Sequence, residues 1–278
     1  MSGFTRRLLD LESRLNSRNV DWYLDNLHEP VMDYWQVERP GRLVRDPATG
    51  APVTDRITVA EFLRRTGVAE AFDNRDRAGI TAVQAAVVNP WGFVGFQFGE
   101  ALLIDLQYYR PVREAVVVDG EEVKVPSYYA PALPESTWRG GTTSHVHHDD
   151  GIGAWRVGTD VNEWRGTFTG RDGIHSFADL CRYDNQLAVL RRSLRHNAGI
   201  LNRHFARFGH DLWTAGEGYP APAALLGAAH LCGPYGVLVY LENGQGRTDE
   251  AGTSITAYLD AFSDVELTPD DLGAELTP

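Results

Sequence analysis

Four short stretches carry residue types able to do chemistry. Leu11-Glu12-Ser13 puts a carboxyl four residues after Leu8 and next to Leu11, at the edge of an apolar helical stripe. A carboxyl half removed from water holds its proton to higher pH and can serve as a general acid; the alternative is a solvated helix residue. Gly92 to Glu100 (GlyPheValGlyPheGlnPheGlyGlu) follows Asn89-Pro90-Trp91. Two glycines three apart let backbone approach a ligand closely, and Gln97 offers both a donor and an acceptor; a tight turn before a helix explains the same pattern. His230 stands between an apolar run and Cys232-Gly233-Pro234, where a histidine is either catalytic or a hydrogen-bonded core residue. His145, His147, His148, Asp149 and Asp150 crowd one Gly-rich loop. Imidazole and carboxylate at that density can hold a divalent metal, with His145 and His147 on one face if the chain is extended; a solvated polar loop is the alternative.

The elements that must position these residues are mostly helical. Phe4, Leu8, Leu11 and Leu15 recur at helical spacing over 4–15. From about 16 to 56 the pattern dissolves among Pro30, Pro40, Pro47 and Pro52. Thr58 reads as the cap of a short helix ended by Gly67, and another helix starts near Gly99 with Leu102, Leu103 and Leu106. Residues 114–125 are two β-favouring runs about Asp119-Gly120, a strong hairpin signal. Helical signals return after Ser176 and continue over about 184–208, 223–231, 235–242 and 253–262, before an acidic tail that reads as loose. The expected architecture is mainly α, a single helical domain over 1–265 with loop-rich insertions at about 16–80 and 110–165, the second carrying the β-hairpin, then a tail over 266–278.

Composition narrows the partners. The 278 residues are 43% hydrophobic and 23% charged, a globular profile. Lys plus Arg is 26 against 38 for Asp plus Glu, a net charge of −12, which disfavours nucleic acid and anionic membrane, since both need clustered positive charge. No apolar run reads as approaching the roughly 18 residues of a membrane span. The charged N-terminal stretch does not read as a secretory signal, so synthesis in the cytoplasm is expected. Cys181 and Cys232 make neither a disulfide framework nor a paired zinc motif and read as free, partly buried thiols. Trp22, Tyr23, Trp35, Trp138, Trp155 and Trp164 lie in or beside the insertions, where they either stack on sugar rings or pack small cores.

Taken in order, Glu12-Ser13, then Gly92-x-x-Gly95-x-Gln97-Phe98, then Ala228-Ala229-His230-Leu231-Cys232-Gly233, with Gly252-Thr253-Ser254 and Tyr258-Leu259 after it, resembles the signature stretches of lysozyme-like lytic transglycosylases and phage-tail-associated peptidoglycan hydrolases. Thr169-Gly170-Arg171-Asp172-Gly173-Ile174 resembles the family's entry into a helix. The likeness covers about 4–15, 87–109 and 164–262, and it implies a lysozyme-like α+β fold. It departs from the family in the long separation of Glu12 from Gln97, attributed to the first insertion, and in a Gly95-to-Gln97 step one residue short. The implied activity is cleavage of the β-1,4 bond between N-acetylmuramic acid and N-acetylglucosamine in peptidoglycan glycan strands. Glu12 would be the acid and Ser13 would help hold the site. Gly95, Gln97 and Phe98 would line the substrate, and His230 would stand where transglycosylases carry a tyrosine. No cofactor is implied, apart from the divalent metal of the histidine loop. Glycosidases with two carboxylates need a second one at a defined separation, which the sequence does not name; transglycosylases use the substrate's own groups and leave a 1,6-anhydro sugar. Delivery to the cell wall would need a phage tail, a holin or a secretion-machinery partner. A second reading is a catalytically silent scaffold of this fold, redeployed to bind a partner, which the net acidity and the large insertions favour.

Overall fold

The computed structural model describes residues 2–12, 25–29, 32–39, 42–49, 53–65, 77–88, 92–118, 121–126, 129–131, 155–157, 162, 164–214, 218–246, 248 and 253–273. Among them helix outweighs strand and every sheet is two-stranded, so the chain is mainly α. It divides into two compact units, residues 1–16 with 186–278, and residues 17–185. Both stretches expected as insertions, about 16–80 and 110–165, fall within residues 17–185 together with the 87–109 stretch. Inside that unit Glu100 and Gly92 hydrogen-bond to Asn162 and Trp164.

The first unit is built from helices. Helix α1 (Ser2–Glu12) buries Phe4, Leu8 and Leu9 almost completely, whereas Leu11 is 44% exposed. The stripe thus runs one position aside from the expected one, and Glu12, at i+4 from Leu8 and i+8 from Phe4, falls on the buried line. The Phe4 ring meets Phe262 at 4.8 Å, and Arg7 donates to the Ala261 carbonyl at 2.6 Å and to the Asp264 carboxylate. Two long helices in this part of the chain are α6 (Tyr183–Ala206), on which the division between units falls, and α7 (Pro222–Asn243).

Pro222 starts α7 in a position where its missing N–H costs nothing. The helix is interrupted at Gly233 (φ 71°, ψ 161°) ahead of Pro234, which is the expected Gly-Pro break between two helical runs. By length and composition alone α7 is also apolar enough to cross a membrane, contrary to the expectation that no run approached that length; Ala223 to Ala229 are all buried. Ser254 caps α8 (Ile255–Ala261) by accepting from the Ala257 amide at 3.1 Å. The tail, expected to be loose, is held as far as Gly273. Thr268 and Asp271 form a capping box around the 3₁₀ turn Pro269–Leu272, Leu267 and Leu272 are buried, and Arg195 donates to the Leu272 carbonyl.

The second unit mixes short helices with hairpins. Within 16–56, where irregular chain was expected, β1 (Met32–Trp35) pairs with β4 (Thr54–Ile57) around the inner pair β2 (Val37–Arg39) and β3 (Arg42–Leu43). Of the prolines read as breakers, Pro47 is described and lies in a turn between β3 and β4, while Pro30, Pro40 and Pro52 lie outside the described residues. Thr58 caps α2 (Val59–Arg65) as expected, accepting from the Glu61 amide at 3.2 Å. Helices α3 (Arg77–Ala86) and α4 (Glu100–Asp105) flank the glycine-rich stretch. Strand β5 (Tyr109–Arg110) pairs with β10 (Thr167–Phe168), and β8 (Tyr129–Pro131) with β9 (Trp155–Val157). The expected hairpin is β6 (Arg113–Val118) with β7 (Glu121–Pro126), in register with Val118 opposite Glu121; Asp119-Gly120 between them lies outside the described residues. Ser176 caps α5 (Phe177–Leu180).

Candidate functional site

In the first unit the last residue of α1 meets α7 and α8. Tyr258 donates its hydroxyl to Glu12 Oε1 across 246 positions of sequence. His230 Nε2 lies 3.7 Å from the same oxygen, and the side chains of His230 and Glu12 are only 5% and 9% exposed. Each partner is placed by ordinary packing. Tyr258 is one turn before Phe262, with which it stacks at 6.3 Å, and His230 stands in the turn before the Gly233 break, above the buried run Ala223–Ala229. Helical spacing singles out Glu12 in the sequence, and His230 stands out by its place before the Gly-Pro break and by the family likeness. Tyr258 carries only the family likeness there; the signal that finds it is its i, i+4 spacing to Phe262 on the buried side of a capped helix.

The chemistry follows from competing influences on one carboxyl. Removal from water favours its neutral form, whereas a hydroxyl donor and a histidine favour the anion. At 3.7 Å the imidazole pairs with Glu12 only when protonated. Such a cluster can hold a proton and release it to a group that enters.

The glycine-rich stretch belongs to the second unit. Val94 and Phe98 pair across a tight turn, Val94 N to Phe98 O at 3.1 Å and Phe98 N to Val94 O at 3.0 Å. Gly95 (φ 55°) and Gln97 (φ 57°) both take left-handed backbone. For glutamine this conformation costs on the order of 1 kcal/mol, a strain that the surrounding structure must hold. Phe96 and Phe98 have no solvent exposure, so Phe98, expected against substrate, is a core residue: the ring of Phe96 in the middle of the turn and that of Phe98 at its end are both buried, 5.7 Å apart. Gln97 is half-buried.

Glu100, which sequence reasoning did not single out, anchors this turn. It opens α4 after Gly99 and is 4% exposed; its carboxylate accepts from the Trp164 amide at 2.5 Å, and its own amide donates to Asn162 Oδ1 at 2.6 Å. The Trp164 indole donates to the Gly92 carbonyl at 2.7 Å, and its ring packs on Tyr109, Phe168 and Phe177 at 5.5, 6.0 and 5.1 Å. Trp164 therefore follows the small-core reading. Burial, followed by the nearby Glu100 charge, pushes the Tyr109 hydroxyl up to about 12.

Ser13 and the histidine loop with His145, His147 and His148 lie outside the described residues, as do Trp22, Tyr23 and Trp138. Among the described residues no cluster of His, Cys, Asp or Glu is grouped to hold a metal. Cys181 and Cys232 are in no disulfide and are partly buried, as expected, with the Cys232 thiol donating to the Ala228 carbonyl at 3.2 Å. Comparison with protein-family models, with curated proteins and with solved structures finds no significant match to this chain.

Proposed function

We propose that the protein cleaves the glycan strand of peptidoglycan at the β-1,4 bond between N-acetylmuramic acid and N-acetylglucosamine, in the manner of a lytic transglycosylase or lysozyme, and that its finer fold is lysozyme-like. The observation that carries this reading is the Glu12–His230–Tyr258 cluster, in which three residues of separate signature stretches share one nearly desolvated carboxyl. Glu12 gives its proton to the glycosidic oxygen as the C1–O bond breaks and the electron pair passes to the leaving sugar. Either the substrate's own C6 hydroxyl or a water then closes on C1, returning a proton to the carboxylate. Tyr258 and His230 hold the carboxyl in place. The family resemblance assigns sugar positioning to Gln97 and the Gly95 backbone, and Gln97→Ala is expected to raise KM while leaving kcat nearly unchanged. Delivery by a phage tail, a holin or a secretion system is part of the same proposal.

The test is mass spectrometry of sugar fragments released from purified sacculi. Wild type releases muropeptides, and Glu12→Gln loses on the order of 10²–10⁴-fold, the worth of a general acid. Equal release by both proteins, or none by either, overturns Glu12's role. A second reading, a silent scaffold of the same fold, is favoured by one observation: the carboxyl is 9% exposed and Tyr258 already occupies Oε1.

A further inference from the structure

The chain carries a net charge of −12, yet from Asn185 to His210 it has five arginines and no Asp or Glu. At 100° per residue, Leu190, Leu194, Leu201 and Phe205 mark the buried side of α6, and Arg191, Arg192, Arg195 and Arg203 fall on the opposite arc, with Arg207 in the turn just past the helix. Arg191, Arg203 and Arg207 are exposed and Arg192 is half-buried. Arg195 is engaged by the Leu272 carbonyl. Among the described residues no carboxylate pairs with Arg191, Arg192, Arg203 or Arg207.

This arrangement does little for the helix itself. Arginines at i, i+4 repel by a few tenths of a kcal/mol, and the helix dipole rewards cations only in the last turn, which covers Arg203 but not Arg191 or Arg192. At the C-terminal end of the arc stand two exposed aromatic side chains, Phe208 at 61% and Tyr219 at 39%. His204 lies 5.2 Å from the Phe208 ring and His210 lies 5.7 Å from that of Tyr219. Guanidiniums pair with carboxylates in a fixed fork geometry, and exposed aromatic faces suit pyranose rings.

We infer that the solvent arc of α6, about 18 Å from Arg191 to Arg203 at 1.5 Å per residue, with Arg207, Phe208 and Tyr219 beyond its C-terminal end, is a docking surface for an acidic glycan. The occupant is the peptidoglycan strand, whose lactyl and stem-peptide carboxylates meet the arginines while its sugars meet the aromatic rings; that identity rests on the proposed function. The arc supplies local attraction that the net charge of the chain opposes at long range.

The experiment is co-sedimentation of the full chain with purified sacculi, using Glu12→Gln to prevent digestion. A triple charge reversal, Arg191→Glu with Arg203→Glu and Arg207→Glu, is expected to weaken binding at least tenfold at low salt and to flatten its salt dependence, while the corresponding lysine triple retains binding within about threefold. Sacculi whose carboxyls have been amidated are expected to lose the same affinity towards unaltered arginines, an arm that needs no variant of the arc. Binding unchanged by charge reversal in a protein of unaltered melting temperature, equal binding to amidated sacculi, or no binding by Glu12→Gln overturns the inference. Muropeptide release by wild type is read separately: release with an inert arc sinks only the docking surface, and charge-dependent binding without release sinks only the glycosidase reading.

Discussion

Tyr258, Tyr109 and Cys181 each have a property set by desolvation that a single substitution or titration reads out. Tyr258 donates to Glu12, and a hydrogen bond to a carboxylate is worth roughly 1.5–3 kcal/mol. On the proposed glycosidase reading, Tyr258→Phe is therefore expected to lower kcat/KM on sacculi about tenfold or more and to shift the pH at which activity falls; an unchanged pH profile at reduced stability would leave it only a packing role. Burial pushes the Cys181 thiol up to about 11. Its thiolate fraction near pH 8 is about 10⁻³, so iodoacetamide labelling of Cys181 in the folded protein is expected to be far slower than in the denatured chain and to rise about tenfold per pH unit. Labelling at the denatured rate would show that the thiol is not desolvated.

For Tyr109 the folded value of about 12 stands above the ordinary 10. Its contribution to stability is complete below pH 10 and is lost as pH climbs through 12, because only the unfolded chain ionises readily in that window. Denaturant midpoints at pH 9 and pH 11 are expected to fall less for Tyr109→Phe than for wild type, although the variant starts lower because the Gly166 amide donates to that hydroxyl.

At the scale of elements, α7 is shaped by two glycines for different reasons. A Cβ on Gly227 would sit 2.6 Å from the buried Phe262 ring, so Gly227→Ala is expected to cost about 1–3 kcal/mol by overpacking, relieved in part by Phe262→Leu. Gly233 meets nothing within 4 Å, but its φ of 71° and ψ of 161° suit glycine alone. Gly233→Ala is expected to cost on the order of 1–3 kcal/mol through the backbone, and no second-site cavity should relieve it. Thermal melts of these variants with and without the relieving change separate the two causes. The cap at Thr58 was legible because a hydroxyl ahead of an apolar run is a local signal; Ser176 and Ser254, for which no capping role was expected, prove to be caps of the same kind. The strands within 16–56 were not, since two to four residues carry too little periodicity and their partners are fixed by pairing.

For the whole molecule, the first unit is closed by residues from both ends of the chain. Phe4 packs on Phe262, and Arg7 holds the carboxyl of Asp264 below the usual carboxylate range through its hydrogen bond. That contribution is present above about pH 4 and is lost as the carboxyl protonates on acidification. Phe4→Ala is expected to cost about 3–5 kcal/mol and to raise amide hydrogen exchange in α7 and α8 as well as in α1. Exchange confined to α1 would mean that the N-terminal helix is an independent accessory to this unit rather than part of its core.

What the amino-acid order determined by itself is what short-range physics can encode. Helical spacing of Phe4 and Leu8, hydroxyl caps, the Gly-Pro break of α7 and the Asp-Gly hairpin are satisfied within a few residues of each signal. The same spacing set Glu12 on the buried line, although the stripe it joins takes Leu9 rather than Leu11. Only tertiary structure decided that Tyr258 reaches Glu12, that Glu100 ties down the turn bearing Gln97, and that Phe98 is buried. Those outcomes depend on which apolar surfaces meet, and burial energy is indifferent to distance along the chain.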